Sequence, residues 1–140
     1  MKYGIDVLLE LNHPLTKGKI GLITNEAAVN SEGKKSRLAM LEAGIQIIRL
    51  FSPEHGLSVK GADGFRQGDT VDTLTGLPVI SLYNDKLAPD QTDLQDLDAV
   101  FFDIPDIGCR FYTYLWTMTY AMESCAKAGI PFVVLDRPNP

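Results

Sequence analysis

Ala99-Val100-Phe101-Phe102 sets four apolar side chains in a row. Successive side chains of a pleated strand point to opposite faces, so a run of this kind has to be covered on both sides. It requires a sheet held between two layers, and the rest of the chain supplies the pieces. Lys19 to Thr24 reads as a first strand, ending at the polar Asn25. Lys34 to Ala43 carries Leu38, Met40 and Leu41 and is closed by Gly44, a helix with a glycine cap. Ile45 to Phe51 is a second strand and Leu77 to Tyr83 a third, with Pro78 at its start where proline is tolerated. Leu97 to Ile104 is the fourth. Phe111 to Lys127 repeats Phe111, Leu115, Met118, Met122 and Cys125 at steps of four and three, a helix expected to bury that stripe. Gly129 ends it, and Ile130 to Leu135 gives a fifth strand. The glycine-bearing stretch from Leu57 to Thr75 reads as a long loop.

Strands alternating with helices predict an α/β class fold, a Rossmann-like three-layer domain. Its mostly parallel sheet has about five strands, with helices on both faces. One domain is expected over residues 1–140, with no internal repeat. At 45% hydrophobic, the 140 residues are enough for a real core. The net charge of −5 argues against a nucleic-acid binder, which carries a basic patch. Lys34, Lys35 and Arg37 form the one basic cluster and read as a solvated helix face. Cys109 and Cys125, without CxxC spacing or clustered histidines, read as free thiols rather than zinc ligands. No metal or cofactor is expected. The first residues lack the apolar core of a signal peptide, and no apolar run is long enough to span a bilayer. The compartment is left open.

The polar residues gather after the strands. Asn25 and Glu26 follow the first, Glu54 and His55 the second, Tyr83 and Asn84 the third. Asp103, Asp106 and Arg110 follow the fourth, and Asp136, Arg137 and Asn139 the fifth. In a parallel sheet these ends share one edge, where ligands bind and chemistry is done. Ser52-Pro53-Glu54-His55-Gly56 stands out, because Pro53 stops the strand and sets a carboxyl group beside an imidazole on a turn. Alone, such a pair more often caps a turn or is merely solvated than catalyses. Convergence with carboxylates, guanidiniums and amides is what a site for a polar, hydroxylated ligand requires. Asp103 and Asp106 can equally cap the long helix.

Nucleotide chemistry finds no support, since no G-x-G-x-x-G follows the first strand and no phosphate-loop motif occurs. A serine triad lacks its G-x-S-x-G elbow. Carboxylate-based acid/base catalysis remains, with Glu54 as proton donor and His55 to orient it. Tyr83, Phe111, Tyr112, Tyr114 and Trp116 lie near the same edge and favour a carbohydrate, whose ring faces stack on aromatics. Phe111 and Trp116 are expected in the core, and one of Tyr112 and Tyr114 in the crevice.

Four ordered blocks carry a resemblance. They are Ser52-Pro53-Glu54-His55-Gly56; Thr75-Gly76-Leu77-Pro78-Val79 with Ser81-Leu82-Tyr83; Asp103-Ile104 with Asp106-Ile107-Gly108 and Arg110-Phe111-Tyr112-Thr113-Tyr114; and Leu135-Asp136-Arg137-Pro138-Asn139-Pro140. Together they resemble the family once known as DUF1343, the NamZ-type exo-β-N-acetylmuramidases of glycoside hydrolase family 171. The resemblance spans nearly the whole chain. It implies a Rossmann-like N-terminal catalytic domain and removal of terminal N-acetylmuramic acid from peptidoglycan fragments, a cell-wall recycling role. By it Glu54 would be the leading catalytic acid, with His55, Asp106, Arg110, Tyr112 and Arg137 lining the pocket. Pro105 stands where the family usually has glutamine, which removes an amide that can touch the sugar. Family members also continue past the position of Pro140 into a second domain expected to help close the cleft.

The expected site therefore has Glu54, His55 and Asp106 as catalytic residues. Asn25, Tyr83, Asp103, Arg110, Tyr112, Asp136, Arg137 and Asn139 are expected to bind substrate. Asp103 or Asp106 is the second carboxylate, and Arg110 or Arg137 the partner of the lactyl carboxylate that distinguishes muramic acid from glucosamine. The expected ligand is a small carbohydrate, a muropeptide or amino-sugar disaccharide. The rivals are a non-catalytic sugar-binding or interaction module and a flavodoxin-like regulatory domain.

Overall fold

A computed structural model of the chain describes residues 1–54, 56–57, 70–83 and 85–139. Six strands form one sheet: β1 (Ile20–Thr24), β2 (Ile47–Ser52), β3 (Thr70–Val71), β4 (Pro78–Ser81), β5 (Ala99–Asp103) and β6 (Phe132–Val134). Their order is β3-β4-β2-β1-β5-β6. Every neighbouring pair is parallel except β3 with β4. The sixth strand is the two-residue β3, at the end of the stretch expected to be loop. Residues 58–69 of that stretch lie outside the described residues.

Alternation along β1 and β5 splits the core in two. Ile20, Leu22, Ala99 and Phe101 face one side, where Ile5 and Leu8 of α1 (Gly4–Leu11) and Met40 of α2 (Ser36–Glu42) cover them. Ile23, Val100 and Phe102 face the other. There they meet Leu94 of α3 (Gln91–Leu94) and Tyr114, Ala121 and Cys125 of α4 (Tyr114–Ala128). This is the three-layer, Rossmann-like arrangement that the doubly apolar strand demanded. In β2 the register slips, with Ile20 opposite Ile47 and Gly21 opposite Arg49, so Ile48 is an extra residue. Ile47 and Leu50, three apart, therefore join one cluster while Phe51 joins the other.

Two expectations fail on packing. The buried stripe of α4 is Tyr114, Thr117, Ala121 and Cys125, whereas Phe111 is 85% and Trp116 55% exposed. Leu115 and Met122 are exposed as well. Small residues at the contact let the helix approach the sheet, and the large ones are left flanking it. Both cysteines are free, and burial pushes the Cys125 thiol up to about 11, which leaves it a small inert core residue.

The basic cluster is likewise divided. Lys34 pairs with Glu42 and Lys35 with Glu26, but Arg37 is 3% exposed. Its Nε and Nη2 donate to Asp72 at 2.9 and 3.3 Å, and Nη2 also reaches Glu26 at 3.0 Å. This pair ties α2 to the hairpin of β3 and β4. Burial pushes the Asp72 carboxyl up, but the Arg37 guanidinium, the Thr75 hydroxyl and the Leu74 amide outweigh it and hold it below the usual carboxylate range. A carboxyl depressed in the folded state adds stability that is complete above its unfolded value near pH ~4 and is lost as the pH falls through the folded value. Urea denaturation between pH 7 and 2 is expected to show a steep acid loss in the wild type and a shallower one in Asp72→Asn. Equal slopes would remove Asp72 from this role.

Candidate active site

From β1 the chain winds outward through β2 to β4, then returns to β5 and β6 on the other side. The reversal leaves a crevice beyond the carboxyl ends of β1 and β5, the place where doubly wound sheets bind ligands. Asn25 enters it directly from β1. Its Oδ1 accepts from the Ala27 amide at 3.1 Å, which fixes the carboxamide. The Asn25 side chain also hydrogen-bonds to Tyr114, at the start of α4, and Tyr112 meets Tyr114 edge-on with ring centroids 4.5 Å apart.

Burial pushes the Tyr114 phenol above its ordinary value. Neighbouring Tyr112 adds to this, the Asn25 hydrogen bond opposes it, and the Glu54 carboxylate raises it further. Tyr114 is thus a protonated donor throughout the neutral range, within the electrostatic reach of Glu54.

Glu54 is half-buried at the corner of a turn. The Gly56 amide donates to the Pro53 carbonyl at 3.0 Å, and Gly56 takes φ +73°, a left-handed conformation that glycine adopts without strain. Proline ends the strand, glycine closes the turn, and the carboxylate is held between them. His55 and Asn84 lie outside the described residues.

Two cavities flank α4 at this edge. One, of about 150 Å³, is lined by residues that include Glu54, Leu82, Tyr83, Trp116, Thr117 and Tyr120. The other, of about 120 Å³, includes Asp106, Tyr114, Asp136 and Arg137 among apolar neighbours such as Phe102 and Met118. Asp106 is exposed, and its Oδ1 accepts from the Gly108 amide at 3.1 Å. Asp136 is exposed too, and its carbonyl receives the Gly4 amide at 2.7 Å. The Asn139 side chain packs on Gly108, where a Cβ would come within 2.7 Å of its Oδ1. Arg110 is exposed and forms no ion pair with the described residues.

Asp103 and Arg137 sit differently. Asp103 has no exposed surface, and both its oxygens are taken by Arg137, Nε at 2.6 Å and Nη2 at 2.9 Å. Arg137 also donates from Nη1 to the Val29 carbonyl at 2.8 Å and from Nη2 to Ser36 Oγ at 3.0 Å. Its guanidinium carbon lies 5.3 Å from the centroid of the Tyr3 ring. These two expected substrate ligands hold each other, and Asn25 and Tyr114 are buried as well, 2% and 4% exposed, whereas Asp106 and Arg110 are exposed and Glu54 and Tyr112 half-buried.

Tyr120 was not expected at this edge, whereas Tyr114 and Trp116, expected near it, line the two cavities. Thr113, Trp116, Thr117 and Tyr120 fall at i, i+3, i+4 and i+7, a second stripe on α4 that is visible in the sequence once helical spacing is applied. Among the described residues, no three His, Cys, Asp or Glu side chains gather to hold a metal, and no helix is long and apolar enough to cross a membrane.

A doubly wound sheet with a switch-point crevice edged by carboxylates and aromatics defines a Rossmann-like α/β domain. The chain belongs to the family described as exo-β-N-acetylmuramidase NamZ, N-terminal, which it matches over residues 20–140. It is 48% identical, across 98% of its length, to the peptidoglycan β-N-acetylmuramidase NamZ of Bacillus subtilis strain 168. Two crystal structures of DUF1343 family proteins from Bacteroides fragilis NCTC 9343 superpose on 99% of the chain. Their TM-scores are 0.86 at 41% identity and 0.78 at 32%. The chain spans about a third of each relative, 34% of the Bacillus protein and 35% of each Bacteroides one.

Removing one partner of a fully desolvated ion pair costs about 3–5 kcal/mol, whereas an exposed, unpaired side chain contributes within about 0.5 kcal/mol. Urea denaturation is therefore expected to show Arg137→Ala losing several kcal/mol and Arg110→Ala almost nothing.

Proposed function

We propose that the protein removes terminal N-acetylmuramic acid from peptidoglycan fragments, with Glu54 as the general acid. The observation that carries this reading is the 48% identity to a peptidoglycan β-N-acetylmuramidase over 98% of the chain. The turn that mounts Glu54 beside Tyr114 supports it. Glu54 protonates the bridging oxygen as positive charge develops at the anomeric carbon. Asp106 is the second carboxylate, as base or nucleophile, because both oxygens of Asp103 are engaged by Arg137. Tyr112, half-buried, donates a hydrogen bond to the sugar, with the buried Tyr114 and Asn25 behind it. Arg110, with its donors open, pairs with the lactyl carboxylate, since a guanidinium matches a carboxylate bidentately. A second domain closing the cleft over Glu54 belongs to the same reading.

Hydrolysis of a chromogenic N-acetylmuramide is the direct test. A general acid contributes about 10²–10⁴-fold, so Glu54→Gln is expected to lower kcat by at least roughly a hundredfold. Binding without turnover in both proteins would replace the hydrolase with a sugar-binding module. Arg110→Ala is expected to raise KM for the muramide and leave that for the matching glucosaminide unchanged. Unaltered discrimination between the two sugars would remove Arg110 from the lactyl role.

A further inference from the structure

We infer that the open edge of β6 is the docking site for a further strand, supplied by the polypeptide that follows this domain in its longer relatives. The inference does not depend on the role of Glu54. β6 is last in the sheet and pairs only with β5. The Val100 amide donates to the Pro131 carbonyl at 3.0 Å, and the Leu135 amide donates to the Phe102 carbonyl at 2.9 Å. Successive residues of a strand turn their backbone groups to opposite sides, so those of Phe132 and Val134 face away from β5. Among the described residues, none hydrogen-bonds to them.

Exposed sheet edges are normally blunted by charge, by proline or by a very short strand. The opposite edge follows that rule, since β3 has two residues and is followed directly by Asp72, which Arg37 binds. β6 does not. Phe132 to Leu135 carries no charge, and Pro131 turns to β5, which leaves the outer side unguarded. The surfaces flanking this edge are apolar too. Toward α1 lies a groove of about 490 Å³, lined largely by apolar residues that include Tyr3, Val7, Leu11 and Val134. Toward α4 lies the cavity of about 120 Å³ that Leu115, Met118 and Val134 border. Leu11 is 66%, Leu115 51% and Val134 45% exposed. Val134 lines both hollows, so the two apolar surfaces meet at the unpaired edge. Such a surface fits an extended segment with apolar side chains on both its faces, which would take up the free backbone groups and cover both hollows.

Chain length indicates where that segment comes from. The domain corresponds to 34% of the Bacillus relative and 35% of each Bacteroides one, and it matches a family model described as N-terminal. The stretch from Asp136 to Asn139 leaves β6 beside the larger groove, with Pro138 in its wall. A segment continuing from there reaches the edge through a short connection, at little cost in closure entropy. A second copy of the chain would have to give up its translational and rotational freedom to do the same.

The probe is a synthetic peptide carrying the segment that follows the matched region in the Bacillus protein, and the measurement is amide hydrogen exchange read by NMR. In the chain alone, Phe132 and Val134 are expected to exchange freely. Saturating peptide should slow both by at least roughly tenfold and leave β3 unchanged. Val134→Lys, at an exposed position, should abolish that protection without moving the urea midpoint, while Val71→Lys on the opposite edge should leave it intact. Absence of binding, binding that leaves Phe132 and Val134 unprotected, or protection that rises with protein concentration when no peptide is present would each overturn the assignment. The last of these would give the edge to a second copy.

Discussion

The bidentate pair of Asp103 and Arg137 is the contact on which the rest of the site edge depends. Asp103 ends β5 with no exposed surface, and a carboxylate in that position is tolerable only when both oxygens are satisfied. Arg137 satisfies them and spends its remaining donors on Val29, after β1, and Ser36, at the start of α2. It also lies over the ring of Tyr3, at the cap of α1. Asp6 reinforces the same junction by accepting from the Tyr3 amide at 2.8 Å and the Ser31 amide at 3.2 Å. Four segments distant in sequence are thereby pinned around one buried charge. The start of α4 borders the same cavity as Arg137.

Residues of one chemical type have opposite fates along this edge. Of the two carboxylates after β5, Asp103 is consumed by the frame and Asp106 is left open. Arg137 is consumed and Arg110 left open in the same way. Helix α4 repeats the division along its own axis. Tyr114, Thr117, Ala121 and Cys125 pack on the sheet, while Trp116 and Tyr120 wall a cavity beside the proposed acid.

Much of this was legible in the sequence because it is local. A run of apolar residues stopped by a polar or proline residue marks both a buried strand and the site residue that follows it. Five strands are legible in this way, and helical spacing with a closing glycine marks α2 and α4. What was missed depends on distant partners. Thr70–Val71 is a strand only because β4 lies alongside it, and Arg37 is buried only because Asp72 stands 35 residues further on. The extra residue at Ile48 is seen only against the register of β1. On α4 the period was right and the phase wrong. Large apolar side chains suggest the contact face, while close approach to the sheet selects Thr117, Ala121 and Cys125. The polar residues at the strand ends were legible as a group, but which of them pair with one another was not, because that is decided across the sheet.

The span of the central ion pair also sets an order of assembly. Asp103 meets its partner 34 residues later, and that partner reaches back 108 residues to Val29. A chain emerging from the ribosome from its N-terminus can form β1, α2 and β2 early. The end of β5 can be sealed only after Arg137 has been made. The edge where the ligand crevice lies is therefore among the last parts of this fold to close.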